Sequence, residues 1–394
     1  MTERQLFQQY LALPSEVPDP IEAVKAEGIY IYDNKGNPYV DLVSGVSVSN
    51  LGHCNKYVVE AVKQQVETYM HLMVYGKYLQ SPQVQLAYLL AQNLPESLNS
   101  TYFVNSGSEA IDGALKLAKR YTGRSEIIAF KNAYHGGTHG ALSILGNEKM
   151  KYAYRPLLPD IRFLDFNISD QLDQITEKTA CVVMEPIQAE AGIIIPTDAY
   201  LKTVRQRCDE TGALLIFDEI QMGFGRTGKL FAFENFNIVP DVICLAKAMG
   251  GGMPIGAFIS SKEKMNTLTF KPDLGHITTF GGHPVCCAAA LANLEVLTTT
   301  DYIKLADDKG KRFVEGIKNH PLIGEIRQIG LMLGIDIKDK TKAVKLSKVF
   351  QKNLLIVDQF LFKEDAFRIA PPLIITNEEI DAVIEKILIS LDQL

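Results

Sequence analysis

Short apolar runs alternate with helical periodicity through the middle of the chain. Residues 102–104 form a β-like run, and apolar residues then recur at three- to four-residue spacing from 110 to 121. A second helix is predicted over 199–211, where Gly212 ends it and an apolar strand at 213–217 follows. Further strands are predicted at 126–130, 181–184, 242–245 and 256–260. This alternation predicts an α/β fold in which helices cover both faces of a mainly parallel sheet.

The two ends of the chain have a different pattern. Residues 30–32 are β-like, and past residue 300 helical patterns mix with apolar runs at 331–337 and 367–369. A helix predicted over 284–297 leads the chain away from the parallel sheet. We therefore expect a smaller α+β domain beside the large one. The predicted divisions are an amino-terminal segment, 1–45, that packs with the small domain, a large domain, 46–298, and the small carboxyl-terminal domain, 299–394.

Composition and charge narrow the function classes. The 394 residues include 40 Lys and Arg and 46 Asp and Glu, a formal net charge of −6, without a block of like charge. A surface that binds nucleic-acid phosphates is therefore not expected. The longest apolar stretches are about a quarter of the roughly 20 residues that cross a bilayer, and the amino terminus lacks the apolar core of a secretory signal. These features favour small-molecule chemistry in the cytoplasm, without a membrane partner.

Cysteine and histidine spacing predicts no metal site. The six cysteines contain no Cys-x-x-Cys pair, and we expect them to be small buried side chains in a reducing compartment. His135 and His139 have metal-ligand spacing only on a helix, and Gly136-Gly137 between them favours a loop. Zinc binding is therefore not predicted.

A glycine-rich run, Gly223-Phe-Gly225-Arg-Thr-Gly228-Lys229, overlaps two nucleotide-binding patterns. A P-loop has Ser or Thr after the lysine to hold magnesium, whereas this chain has Leu230. A dinucleotide fingerprint opens a helix directly after a strand, whereas residues 218–221 separate the strand from these glycines and three phenylalanines follow. A nucleotide-binding ATPase or dehydrogenase is therefore a remote alternative.

Three polar positions follow predicted strands. Asn105-Ser106-Gly107-Ser108-Glu109-Ala110 joins a strand to a helix, where free backbone N–H groups and hydroxyls hold a phosphate or form an ordinary N-cap. Asp218 ends the strand 213–217 at the ligand edge of the sheet, and a cationic ring nitrogen would satisfy its carboxylate. Lys247 precedes Gly250-Gly251-Gly252, which lets a bulky group approach the backbone. Together these positions predict a ligand site.

Motifs of one enzyme family occur in order along nearly the whole chain. They are Gly52-His53, Ser106-Gly107-Ser108-Glu109-Ala110, Tyr134-His135-Gly136, Glu185-Pro186-Ile187-Gln188, Asp218-Glu219-Ile220-Gln221, the run 223–228, Ala246-Lys247-Ala248, Thr279-Phe280-Gly281-Gly282 and Arg368. By these motifs the chain resembles the class III aminotransferases, which are pyridoxal-phosphate enzymes of fold type I, and most of all their acetylornithine/ornithine branch. The resemblance implies a large domain with a mainly parallel seven-stranded sheet between helices, and a smaller α+β domain.

The resemblance also implies pyridoxal 5'-phosphate as the cofactor. Lys247 would bind it covalently and then, as a base, move a proton between the substrate carbon and the cofactor. Asp218 would pair with the pyridinium nitrogen and keep it protonated, so that the ring accepts electrons. The other implied contacts are Gly107 and Ser108 at the phosphate, Tyr134 and Ile220 on the two ring faces, Gln221 at the ring hydroxyl, and Thr279 at the phosphate of the neighbouring subunit's cofactor. Thr279 would make each active site a property of a homodimer.

Arg368 and Glu190 are the substrate residues that the resemblance implies. Arg368 would bind the α-carboxylate of the amino acceptor, with a bidentate geometry that Lys lacks. In family members with ω-amine donors, Glu190 covers this arginine in one half-reaction and releases it in the other; a structural salt bridge is the alternative interpretation.

The implied reaction is amino transfer by a ping-pong route. The donor would be an amine or amino acid, of the acetylornithine or ornithine type, and the acceptor a 2-oxo acid such as 2-oxoglutarate. An aminomutase or decarboxylase on the same scaffold is the alternative within this cofactor class, since it would keep Lys247 and Asp218 without exchanging donor and acceptor.

Several residues depart from the acetylornithine and ornithine pattern. Those enzymes carry an arginine after His-Gly, as a clamp for a substrate carboxylate far from the reacting amine, and this chain has Gly137 there. N-acetylornithine and ornithine are therefore expected to be poor donors, unless Lys77 or Lys56 supplies the clamp. The other departures are Val46, where ornithine enzymes have an aromatic and acetylornithine enzymes an aliphatic residue, Asn55-Lys56 in place of His-Pro, and His283 in place of Asn.

Overall fold

The computed structural model describes residues 1–15 and 21–394, and the strands in this part form three sheets. The strands are β1 (Ala23–Glu27), β2 (Tyr30–Asp33), β3 (Pro38–Asp41), β4 (Ser100–Val104), β5 (Glu126–Phe130), β6 (Ile161–Leu164), β7 (Thr179–Met184), β8 (Leu214–Asp218), β9 (Val242–Leu245), β10 (Gly256–Ser260), β11 (Ile323–Ile329), β12 (Met332–Ile337), β13 (Leu355–Ile356), β14 (Asp358–Phe360) and β15 (Lys363–Ile369). The largest sheet has seven strands in the order β4-β10-β9-β8-β7-β5-β6.

This seven-stranded sheet is mainly parallel, which confirms the predicted fold class. β10 runs antiparallel to its neighbours β4 and β9, and the other six strands run in one direction. Strands β5, β9 and β10 have the predicted bounds, because each is a short, almost fully buried apolar run.

The helices are α1 (Glu3–Tyr10), α2 (Ser44–Ser47), α3 (Lys56–Thr68), α4 (Ser81–Gln92), α5 (Gly107–Thr122), α6 (His139–Ser143), α7 (Asp198–Thr211), α8 (Lys262–Asn266), α9 (Pro284–Thr299), α10 (Ala306–Ile317), α11 (Lys340–Ala343), α12 (Leu346–Lys352) and α13 (Asn377–Asp392). The one-turn segment α2 is left-handed, since all four of its residues have φ between 54° and 64°. No helix in residues 1–15 and 21–394 is both long and apolar enough to cross a membrane.

The two faces of the central sheet pack into separate cores. Along β8, Leu215 and Phe217 belong to the cluster that contains Leu201 of α7, whereas Ile216 belongs to the cluster that contains Ala114 of α5. Successive side chains of a strand point to opposite faces, so both faces of β8 are apolar and both are covered. A strand buried on both faces holds the polar residue at its end, Asp218, in a fixed position.

Two four-stranded sheets complete the fold. One has the order β1-β2-β3-β13, and β3 pairs in parallel with β13 through Val40 and Leu355. The other has the order β11-β12-β15-β14 and contains Arg368 on β15. The amino-terminal strands therefore share a sheet with the carboxyl-terminal part of the chain, while the domain boundaries after residues 45 and 298 stay a prediction.

Candidate active site

The carboxyl ends of the parallel strands meet at a cavity of about 370 Å³. β8 ends at Asp218, β9 leads to Lys247, and the loop after β4 leads into the amino terminus of α5. The ligand site of an open α/β sheet lies at this edge. Seven of the eight predicted cofactor residues line the cavity: Gly107, Ser108, Tyr134, Asp218, Ile220, Gln221 and Lys247.

Lys247 has an unusual backbone conformation. It begins a 3₁₀ turn directly after β9, with φ of 47°, a region that costs free energy for a residue with a side chain. Within the described part of the chain its amine makes no hydrogen bond or ion pair. Burial lowers the pKa of Lys247 below 10.5, against the opposing effect of Asp218 and Glu190. The cavity therefore favours the neutral, nucleophilic form of this amine.

Asp218 is held by one backbone and one side-chain contact. Its Oδ1 accepts a hydrogen bond from the Ile220 N–H at 3.0 Å, and its Oδ2 lies 2.7 Å from His135 Nδ1. The carboxylate is 4% exposed, and the far nitrogen of the ring, His135 Nε2, is buried without a partner. From the sequence, His135 is considered only as a metal ligand. Its contact with Asp218 is not predicted, although Tyr134-His135-Gly136 is one of the family motifs.

Glu185 is a second buried carboxyl group at the cavity to which the sequence analysis gave no role. Its Oε2 accepts from the Tyr134 N–H at 3.3 Å and its Oε1 from the Ala189 N–H at 3.1 Å. Burial, and then the nearby charge of Asp218, raise the pKa of Glu185 well above 4.5. Glu185 thus fixes the backbone at Tyr134 and at the residue before Glu190.

The loops at the start of α5 pack so closely that they need glycine. A Cβ atom at Gly107 would lie 2.8 Å from Ile220 Cδ1, and one at Gly136 would lie 1.8 Å from Ser108 Oγ. Ser108 Oγ also accepts a hydrogen bond from the Gly137 N–H at 2.9 Å. This end of the cavity is therefore a rigid turn at a helix amino terminus, which is where phosphate groups bind.

Arg368 and Glu190, which are 178 residues apart, form a buried ion pair. Arg368 Nη2 donates to Glu190 Oε1 at 2.7 Å, and Glu190 Oε2 accepts from the Leu361 N–H at 3.1 Å. The guanidinium is fully buried over the ring of Phe360, and its Nε and Nη1 have no hydrogen-bond partner among the residues that the structure describes. Neither residue lines the cavity itself, but both affect the pKa of Lys247 and so lie close to it.

Two further predicted positions lie at the surface. Thr279 is exposed beside Ile277 and Phe280, and it does not line the cavity of its own chain. Gly137 is also exposed, and a Cβ atom there would have no neighbour within 4 Å. Lys56 and Lys77 do not line this cavity either. Among residues 1–15 and 21–394, Lys247 is therefore the one Lys or Arg side chain that lines the cavity wall.

The glycine-rich run at 223–229 is not a nucleotide-binding loop. It forms a series of turns, and a helix does not begin at it. Gly225 and Gly228 have φ of 93° and 81°, and the loop packs against Gly330. This arrangement disfavours the ATPase and dehydrogenase alternatives.

Comparison with known proteins identifies the family. Residues 12–391 match the family described as aminotransferase class-III. The chain is a class III aminotransferase. It is 41% identical, over 93% of both chains, to the acetylornithine aminotransferase of Caldanaerobacter subterraneus. It is 36% identical, over 91% of both chains, to the [LysW]-aminoadipate semialdehyde/glutamate semialdehyde transaminase of Sulfolobus acidocaldarius.

Solved structures agree with this assignment. An (S)-enantioselective ω-transaminase from Thermomicrobium roseum superposes with a TM-score of 0.92 at 27% identity, covering 99% of this chain and 97% of the other. The ornithine aminotransferase of Toxoplasma gondii superposes with a TM-score of 0.91 at 27% identity, covering 99% and 93%. The protein thus has the fold of the pyridoxal-phosphate-dependent transaminases, fold type I, and the aminomutase and decarboxylase alternatives are not favoured.

Pyridoxal 5'-phosphate is the cofactor of this enzyme, and the cavity residues fit it. Gln221 Nε2 is buried at the cavity and has no hydrogen-bond partner in residues 1–15 and 21–394, so a polar ligand atom would satisfy it. Lys247 supplies an unpaired amine, Asp218 a buried carboxylate, and the α5 amino terminus a place for a phosphate. When bound, the cofactor accepts the electrons that are released when a substrate bond next to the nitrogen breaks.

Proposed function

We propose that this aminotransferase transfers an amino group from an ω-amine or amino-acid donor to a 2-oxo acid such as 2-oxoglutarate by a ping-pong route. The observation that carries the proposal is the buried Arg368–Glu190 pair beside the Lys247 cavity. Arg368 has two buried N–H groups without partners. A buried donor without a partner is costly, and a substrate carboxylate that replaces Glu190 on Nη2 would also bind one of these two donors.

The cavity residues have distinct roles in this proposal. Lys247, whose pKa is lowered, is the amine that holds the cofactor and later moves the proton at the substrate carbon. Asp218 holds the ring nitrogen in its charged form, and His135 keeps Asp218 in orientation through the 2.7 Å contact. Gly107 and Ser108 bind the phosphate, Tyr134 and Ile220 cover the ring, and Gln221 donates to the ring hydroxyl.

Glu190 explains how one site accepts two kinds of substrate. While it pairs with Arg368, the guanidinium charge is neutralised, and a donor without an α-carboxylate meets a site of low net charge. When a 2-oxo acid enters, its carboxylate replaces Glu190 on Arg368. Glu190 thus occupies Arg368 when no acceptor is bound and leaves it when a 2-oxo acid binds.

Steady-state and half-reaction kinetics of Arg368→Lys test this role. Lys keeps the charge but loses the bidentate fork, so the KM for 2-oxoglutarate should rise at least about tenfold. The half-reaction with an amine that lacks an α-carboxylate should stay within about threefold of wild type. Arg312→Lys is the matched control, because Arg312 pairs with Asp381 at the surface. An unchanged KM for 2-oxoglutarate in Arg368→Lys would show that the acceptor binds elsewhere.

We propose further that the donor is an ω-amine. If the donor has a carboxylate far from the reacting amine, residue 137 does not bind that carboxylate. Relatives named as acetylornithine aminotransferases reach 41% identity, and the resemblance gives that branch an arginine here. Without it, a distal carboxylate loses a charge-assisted contact of roughly 1.5 to 3 kcal/mol, which is about tenfold to a hundredfold in kcat/KM. N-acetylornithine and ornithine are then poor donors.

Gly137→Arg tests the donor proposal, because its Cβ has open space. The variant should raise kcat/KM for N-acetylornithine, and Gly137→Gln, which is long but uncharged, should not. The proposal fails if wild-type kcat/KM for N-acetylornithine reaches about 10⁴ per molar per second, the lower end for enzymes on their own substrates.

We propose, finally, a cytoplasmic homodimer with shared active sites. Thr279 is exposed and does not line its own cavity, as expected for a residue that reaches the cofactor phosphate of a second subunit. Exposed apolar side chains surround it, among them Ile277 and Phe280. Neighbouring exposed apolar side chains favour a protein partner.

A further inference from the structure

Arg226 lies in the glycine-rich run that the catalytic roles leave unexplained. Its side chain is fully buried, and within the described part of the chain it has no carboxylate partner. Its Nη1 donates to the carbonyls of Leu331 and Pro371, at 3.0 and 2.6 Å, and its Nη2 donates to Asn50 Oδ1. Burial lowers the pKa of Arg226 to about 9, so it stays charged at neutral pH.

The three acceptors belong to three different segments, and two of them lie where β15 ends after Arg368 and β12 begins. Pro371 lies three residues after Arg368, where the chain leaves β15. Leu331 directly precedes β12, which pairs with β15 through Gly334 and Arg368. A single side chain therefore connects the exit of β15 with the start of the neighbouring strand.

Asn50 belongs to the third segment and connects it both to the Arg226 loop and to the residues that follow β15. Its Nδ2 donates to the Phe224 carbonyl at 2.7 Å, and its own carbonyl accepts from the Leu373 N–H at 2.8 Å. Upstream of Asn50, Ser44 Oγ in the left-handed turn α2 donates to the Ala370 carbonyl at 2.7 Å. The residues that follow Arg368 are thus fixed from two sides.

The backbone of the Arg226 loop is itself fixed. The Leu331 N–H donates to the Arg226 carbonyl at 3.0 Å, and Gly330 has φ of 55°. A Cβ atom at Gly330 would lie 2.3 Å from the Thr227 carbonyl carbon, so only glycine allows this contact. The backbone that carries the Arg226 side chain is therefore held in place.

We propose that Arg226 is a positioning residue for the amino acceptor. By holding Leu331, Pro371 and Asn50 together, it fixes the exit of β15 and so sets the location of the Arg368 guanidinium. This inference rests on the proposed role of Arg368. A misplacement of about 1 Å far from the chemistry costs up to about a hundredfold in rate, so losing this contact should impair the acceptor half-reaction selectively.

The test compares the two half-reactions of the holoenzyme in Arg226→Lys. Lys keeps the charge, but its three N–H groups sit on one nitrogen, so they cannot reach all the acceptors that Arg226 binds through two separate nitrogens. We expect the KM for 2-oxoglutarate to rise at least about tenfold, while the half-reaction of a donor without an α-carboxylate stays within about threefold. Asn50→Ala, which removes one acceptor from the opposite side, should give the same split if Arg226→Lys does not fold.

Arg368→Lys separates failure of this inference from failure of the proposed function. If Arg368→Lys raises the KM for 2-oxoglutarate and Arg226→Lys does not, Arg226 has no positioning role. If Arg226→Lys slows both half-reactions equally, its role is general stability and the inference is wrong. If neither variant changes the KM for 2-oxoglutarate, the acceptor is not bound by Arg368, and the proposed function itself fails.

Discussion

Replacing Asp218 with Asn removes the negative charge of this side chain but keeps its shape, so the variant tests the charge alone. The amide keeps an oxygen that accepts from the Ile220 N–H, now at 3.0 Å from Asp218 Oδ1. At the other end, the amide nitrogen faces His135 Nδ1, so His135 must accept there and carry its proton on Nε2, which has no partner at present. The fold should therefore survive, and the negative charge is what the variant loses.

The expected effect follows from the burial of this carboxylate. Two unit charges about 4 Å apart interact by about 4 kcal/mol at an effective dielectric constant of about 20. We expect Asp218→Asn to remove about 2.7 kcal/mol of this stabilisation from the transition state. The chemical step should therefore be about a hundredfold slower. Cofactor binding should suffer less, because Lys247 and the phosphate end of the cavity are untouched.

Single-turnover kinetics measure this loss. Loaded enzyme is mixed with an amine donor, and the absorbance of the bound cofactor is followed. The control is Asp381→Asn, the same chemical change at the surface, where Asp381 pairs with Arg312 and does not line the cavity. This variant should react within about threefold of wild type. If Asp218→Asn also stays within about threefold, its electronic role is wrong.

The remaining predictions concern the cofactor lysine and the quaternary structure. Lys247→Ala should abolish turnover, and borohydride reduction with peptide mapping should label Lys247; a label on another lysine contradicts the assignment. Since burial lowers the pKa of Lys247, the rate of cofactor capture by the apo protein should rise with pH and reach half of its maximum below pH 10.5, as more of the amine becomes neutral. Analytical ultracentrifugation at assay concentration should show a dimer that loses cofactor when it dissociates, and a fully active monomer would refute the shared site.

The sequence was sufficient for the parts of the fold that depend on local pattern. Strand β9 is an apolar run that follows Asp241, and β10 is an apolar run between Gly256 and Ser260, so both strands were predictable. Lys247 and Asp218 were predicted as site residues because Lys247 follows one apolar run and Asp218 ends another. The strand order places both at one edge of the sheet, where they line the same cavity.

Contacts between distant loops were not predictable. His135 and Asp218 are 83 residues apart, and the position of His135 depends on a turn rather than on a periodic element. Arg226 meets Asn50 across 176 residues of sequence and Pro371 across 145. The left-handed turn at Ser44–Ser47 contains Val46, whose β-branched side chain disfavours that conformation, so no local propensity indicates it.

The most direct test of the central claim is a pair of half-reactions followed on one enzyme sample. The purified holoenzyme is first mixed with an ω-amine donor, freed of excess donor, and then mixed with 2-oxoglutarate. Our account predicts that the donor converts the bound cofactor, that 2-oxoglutarate restores it, and that one glutamate forms per site. In Arg368→Lys, 2-oxoglutarate should bind more weakly, and its ability to restore the bound cofactor should fall to the same extent. Consumption of the donor with release of carbon dioxide, or with no amino group delivered to 2-oxoglutarate, would contradict it.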